Sequence, residues 1–170
     1  MAKQGRKTED KLQKSRRETS LKTLYFNRFM LIRYSLAIFF FANFFLAYLC
    51  WPEVAGIGGA GLIIMSILPM WEMGKMYGDK NPKYKMTKYL FILQWFFNLI
   101  LIVMTAAQPV SKTFPFLNDG TDARIVMLVI LVVGFALATW VLFRFYQIDH
   151  NIDKTFRRIE FFEKKYHLNF

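Results

Sequence analysis

The sequence predicts an all-α protein: an integral membrane four-helix bundle with a cytoplasmic amphipathic C-terminal helix. Three observations carry this expectation. Hydrophobic residues make up 55% of the chain, above the ~45–50% usual for soluble domains. The excess falls in four blocks between Tyr34 and Phe145 that carry almost no charge, each close to the ~17–25 residues a helix needs to cross a bilayer core. Lysine and arginine are distributed very unevenly among the segments between those blocks.

Residues 1–33 form a basic segment. Over 1–20 the chain is polar and charged without an apolar period, which predicts disorder. From Leu21 to Arg33 apolar residues (Leu21, Leu24, Tyr25, Met30, Ile32) interleave with Lys22, Arg28 and Arg33, as in an interfacial helix. The first span is expected over 34–51 and contains the runs Phe39-Phe40-Phe41 and Phe44-Phe45. No small-x-small cleavage site follows it, so a retained anchor is expected rather than a cleaved signal. Only Pro52 and Glu53 precede the second span, 54–70. So short a link makes the two helices antiparallel neighbours, with Pro52 suited to the first turn of the second. The third span is expected over 89–107 and the fourth over 125–145. Asn118-Asp119-Gly120 reads as a turn, with Thr121 or Asp122 capping the fourth span. Tyr34, Tyr48, Trp51, Trp71, Tyr89, Trp140 and Tyr146 mark the span ends, where aromatic residues favour the bilayer interface.

Orientation follows from the basic residues. Ten lie before the first span, five between the second and third, and six from Arg144 onward; Lys112 and Arg124 alone lie between the third and fourth. Four spans therefore put 21 of 23 on one side, which the positive-inside rule makes cytoplasmic, with both termini there and the plasma membrane as the location. The net charge of +11 is accounted for by topology and attraction to anionic headgroups, without nucleic acid.

The segment 146–170 repeats Ile148, Ile152, Phe156, Ile159, Phe162 and Tyr166 at spacings of three and four, one face of a helix. The pairs Asp153–Arg157 and Glu160–Lys164 support it. This stripe needs a cover: the bilayer surface, the 21–33 segment, or another protein, and it is a candidate partner-binding face.

Several motifs dissolve on inspection. Gly56-Ile57-Gly58-Gly59-Ala60-Gly61 matches a dinucleotide fingerprint, but that loop must join a strand to a helix. In an apolar span, Ala55, Gly56, Gly59 and Ala60 read as a helix-packing face of small residues. Asp119-Gly120-Thr121-Asp122-Ala123-Arg124 with Gly134 resembles part of a CDP-alcohol phosphotransferase signature, whose further metal-binding aspartates are replaced by Phe116, Ala138 and Leu142. Cys50 is a lone cysteine and permits no intramolecular disulfide. His150, with Asp149 and Asp153, and His167 give no convincing metal or catalytic set. No catalytic, cofactor-binding or metal-ligating residue is therefore expected, and no cofactor. The polar residues within the spans are Asn43, Gln94 and Asn98, the last two on one face. At equal depth these amides can bond across helices, worth ~0.6–2 kcal/mol. No charge lies mid-span, which argues against ion-coupled transport.

The stretch Lys22-Thr23-Leu24-Tyr25-Phe26-Asn27-Arg28-Phe29-Met30-Leu31-Ile32-Arg33-Tyr34 and the overall layout resemble small four-span membrane proteins of lactic acid bacteria and streptococci, some carrying automatic labels as cellobiose phosphotransferase-system components. The resemblance implies a Gram-positive plasma membrane. The sequence itself lacks the phosphorylated core histidine of a IIA unit and the size of a IIC unit. The expectation is a non-enzymatic accessory or scaffold protein that binds a membrane-protein partner or its own copies. The alternative is a small oligomeric carrier or flippase for a lipid-linked or amphipathic substrate, with the amides lining its path.

Overall fold

A computed structural model of the chain describes residues 2–75 and 84–166. These form seven helices and no strand: α1 (Ala2–Arg28), α2 (Met30–Leu49), α3 (Val54–Lys75), α4 (Lys85–Ala107), α5 (Val110–Thr113), α6 (Thr121–Asp149) and α7 (Lys154–Tyr166). Four of them, α2, α3, α4 and α6, are long and apolar enough to cross a membrane. In the bundle α2 packs on α3, α3 on α4 and α4 on α6, while α6 closes only loosely on α2.

Large apolar side chains cover the outer surface of the bundle, and a few uncharged polar ones lie within its apolar core. Asn43, Ser66, Gln94 and Asn98 are buried, whereas Phe41, Ile64 and Val133 are 59%, 69% and 62% exposed. At one end of the bundle Phe39, Phe91 and Phe145 form the core, with ring centroids 5.8 Å apart for the first pair and 6.0 Å for the second. At the other end the short helix α5 closes the bundle. Val110 and Phe114 lie against Cys50, Ala55, Leu101 and Leu131. The Asp119 carboxylate pins this cap by accepting from the Ser111 backbone N–H at 2.9 Å and its hydroxyl at 2.7 Å. Those bonds, with Arg124 nearby, hold the Asp119 carboxyl below its ordinary pKa.

Each of the four long helices overruns its expected span at one end at least, although α2 stops at Leu49, short of 51. α2 begins at Met30 rather than 34, α3 continues to Lys75, α4 begins at Lys85, and α6 covers Thr121–Asp149. Lysine, glutamate, methionine and arginine at those ends are good helix formers, so the backbone continues after hydropathy has fallen. The same reason corrects the disorder expected over 1–20, where α1 is helical from Ala2. Its second half is also docked, by Leu21 and Tyr25 against Ile159 of α7. Nor is 21–33 one helix: the chain bends at Phe29, between α1 and α2. Pro52 lies in the turn before α3, not in its first turn; Glu53 N–H bonds the Cys50 carbonyl at 2.7 Å there. Neither Thr121 nor Asp122 caps α6, whose N-cap is Gly120 without a side-chain bond. The tail is not one helix either. It breaks between Asp149 and Lys154, where Asn151 adopts φ 54°, a left-handed conformation that asparagine tolerates. Residues 167–170, including His167, lie outside the described residues.

Candidate functional site

The three amides come together as one row. Asn43 of α2 donates from Nδ2 to the Gln94 Oε1 of α4 at 2.7 Å. Gln94 Nε2 in turn reaches Asn98 Oδ1 one turn along, at a long 3.5 Å. Asn98 Nδ2 has no partner, although the residue is only 6% exposed. It points at Gly134 of α6, where a Cβ would sit 3.4 Å from that nitrogen. A buried amide left without an acceptor costs about 1–3 kcal/mol, so this donor is a specific vacancy for an oxygen.

The row floors a groove between α2 and α6, the pair of helices that close most loosely. The groove holds a cavity of about 380 Å³ lined by Phe39, Leu46, Met127, Leu131, Gly134 and Leu137 among others. Its lips, Phe45 and Val133, are well exposed. No ionisable side chain lines it. It can therefore hold an apolar body and hydrogen-bond a neutral acceptor, but has no group for proton exchange near neutral pH. A second cleft of about 380 Å³, between Met65, Leu68 and Pro69 of α3 and Met86, Tyr89 and Leu93 of α4, has no amide row.

The small-residue face serves packing inside the chain. Ala55, Gly56 and Gly59 are buried and Ala60 is half-buried. A Cβ at Gly59 would meet the Asn43 carbonyl oxygen of α2 at 2.9 Å, and one at Gly56 would meet that of Cys50 at 2.5 Å. Gly59 therefore sets the approach of α3 to α2 and, through it, the position of Asn43.

The tail stripe, a candidate partner-binding face in the sequence, is divided between two packing sites within the chain. Ile148 ends α6 within the main core. Ile159 is 1% exposed against α1, with Phe162 packed beside it. Phe156 lies under the Arg28 guanidinium at 4.9 Å. Ile152 is exposed. Tyr166 ends α7. Of the three covers expected, the 21–33 segment supplies this one.

Arg28 and Asp153, which the sequence reading does not pair with each other, lock the segments before α2 and after α6 together. Arg28 donates from Nη2 to Asp153 Oδ1 at 2.7 Å and from Nε at 3.1 Å. The same Nη2 reaches the Ile148 carbonyl at 3.1 Å and Asn151 Oδ1 at 2.8 Å. Asp153 also caps α7, its Oδ2 accepting from Phe156 N–H at 3.2 Å. Its ion-pair partners are thus Arg28 and, at 3.7 Å, Arg144, not Arg157, while Glu160–Lys164 does pair, at 2.7 Å. The visible signal was the spacing of Asp153 and Phe156, an N-cap three residues before an apolar position. Two further locks stand at the same end. Glu72 of α3 accepts from Thr87 N–H at 2.9 Å and its hydroxyl at 2.8 Å, capping α4. Asp149 accepts from Lys88 at 2.6 Å and from the Tyr84 hydroxyl. Burial and that bond push the Tyr84 phenol above its ordinary pKa.

Among the described residues no group of three or more His, Cys, Asp or Glu side chains converges as for a metal ion. No protein-family model, curated protein or solved structure matches the chain.

Proposed function

We propose that this chain is a non-enzymatic accessory or scaffold subunit of a complex in a bacterial plasma membrane. In this reading α2, α3, α4 and α6 cross the bilayer, both termini lie in the cytoplasm, and the α2–α6 groove is the contact surface. The observation that carries it is the unpaired, buried Asn98 amide in a groove with apolar walls. Such a site recognises a neutral hydrogen-bond acceptor on an apolar body and offers no catalytic group.

Two independent features support the topology. The basic residues favour one side by 21 to 2. The contact of α1 with α7 through Arg28 and Asp153 brings the segments before α2 and after α6 to one end of the bundle, as an even number of crossings requires. The resemblance to small four-span proteins of lactic acid bacteria and streptococci accords with a Gram-positive membrane. A carrier would need polar lining that continues toward both ends of its path. Here the amides are bounded by Ile38 and Leu137 at one end and by Phe116 and Met127 at the other.

Affinity purification in mild detergent from native membranes, followed by mass spectrometry, tests the reading. A stoichiometric membrane-protein partner is expected. A self-oligomer carrying lipid alone would transfer the assignment to the carrier.

A further inference from the structure

Building on the accessory reading, we infer that the α2–α6 groove receives a ridge of side chains from a transmembrane helix of a different protein, one with a serine, threonine, asparagine or glutamine at mid-span. Depth is the first argument. Asn43, Gln94 and Asn98 lie near the middle of their apolar stretches. A hydrocarbon core about 30 Å thick keeps the phosphate and ester oxygens of phospholipids near its two surfaces. A lipid chain can fill the apolar walls, but it brings no acceptor to Asn98 Nδ2. A protein helix can, because neutral polar side chains are found at membrane helix contacts.

Size and charge narrow the occupant. A cavity of about 380 Å³ takes a ridge of side chains, not a whole helix ~10–12 Å across. No charged residue lines it, so a charged group on the occupant would be buried without a counter-ion, which is costly. The acceptor is therefore a neutral hydroxyl or amide.

A second copy of this chain does not meet the requirement. Among the described residues, Ser66 is buried and bonded to the Ile63 carbonyl, and Thr105 is buried and bonded to the Leu101 carbonyl. Thr139, the exposed mid-helix hydroxyl of α6, already accepts from Trp95 Nε1 at 3.0 Å and donates to the Phe135 carbonyl at 2.8 Å. Burial thus keeps Ser66 and Thr105 from the outward faces, and the one exposed mid-helix hydroxyl, Thr139, is held within its own chain by two bonds, which assigns the groove to another protein.

The test is photocrosslinking of the full chain in its native membranes. A diazirine analogue of leucine, close to valine in size, replaces Val133 on the groove lip or, as a control, Ile64 on the outward face of α3; both are well exposed. From Val133 the expected adduct lies on one transmembrane helix of another protein, within about one turn of a neutral polar residue. Replacing that residue by leucine is expected to lower adduct yield about three- to tenfold. Adducts from Val133 to lipid alone, to a second copy, or to a helix without such a residue would overturn the inference. If a partner co-purifies but crosslinks only from Ile64, the groove assignment fails while the accessory reading stands. If no protein co-purifies at all, both fail.

Discussion

At the scale of single residues, one vacancy and one lock dominate. Asn98 Nδ2 faces Gly134 with no acceptor, so Gly134→Ser places an oxygen within reach. That substitution is expected to raise the thermal stability of the isolated chain by about 1 kcal/mol and to weaken partner retention, since the chain then satisfies its own donor. A fall in stability would show that the serine oxygen does not reach the amide. The Arg28–Asp153 pair is the lock, with side chains 7% and 0% exposed. Breaking a buried pair leaves one charge uncompensated and costs about 3–5 kcal/mol. Asp153→Ala should therefore release α7 from α1, seen as rapid proteolysis of the tail, whereas Arg157→Ala should not. Equal proteolysis of the two variants would contradict the geometry. The amides were legible from sequence because a polar side chain stands out within an apolar block. Arg28 and Asp153 were not, because their pairing spans 125 residues and each has nearer candidate partners.

At the scale of elements, α3 offers a controlled comparison. Gly59→Ala would drive a Cβ to 2.9 Å from the Asn43 carbonyl oxygen, while Gly61→Ala meets nothing within 4 Å. Overpacking costs about 1–3 kcal/mol; removing an unneeded helical glycine gains up to about 1 kcal/mol. Thermal melts in detergent should move in opposite directions, and parallel shifts would mean the two helices are not in close contact. Gly59→Leu would disturb the bundle itself, so loss of a partner in that variant would say little about docking. The α5 cap carries a pH dependence. Asp119 is held below its ordinary value of 3.8, so its stabilising bonds are fully present above that value and fade as pH falls through the lowered one. Hydrogen-exchange protection at the Ser111 amide should decline in that acidic range and be constant near neutrality; loss near pH 6 would point to another group. Element identity was legible from hydropathy. Element ends were not, because helix continues where polar helix formers replace apolar ones, as at Lys85–Lys88. The break at Asn151 was hidden by a stripe whose spacing runs through it unchanged.

For the whole molecule, four helices are long and apolar enough to cross a membrane, and the contact of α1 with α7 joins the two ends. Single cysteines at Lys112 and Lys154, both exposed, should react with an impermeant maleimide from opposite sides of sealed vesicles. Native Cys50 is fully buried and should stay silent. Labelling of both sites from one side would refute the four-span topology. The candidate site was legible in part: the amides could be named, but the groove arises from the loose closure of α6 on α2, which no sequence period encodes. The most direct measurement compares partner yield in pull-downs from native membranes for the wild type, Val133→Trp and Ile64→Trp. Filling the groove lip at Val133 should lower the yield at least tenfold, while the substitution on the outward face of α3 leaves it unchanged. Undiminished yield with Val133→Trp would contradict docking through the groove.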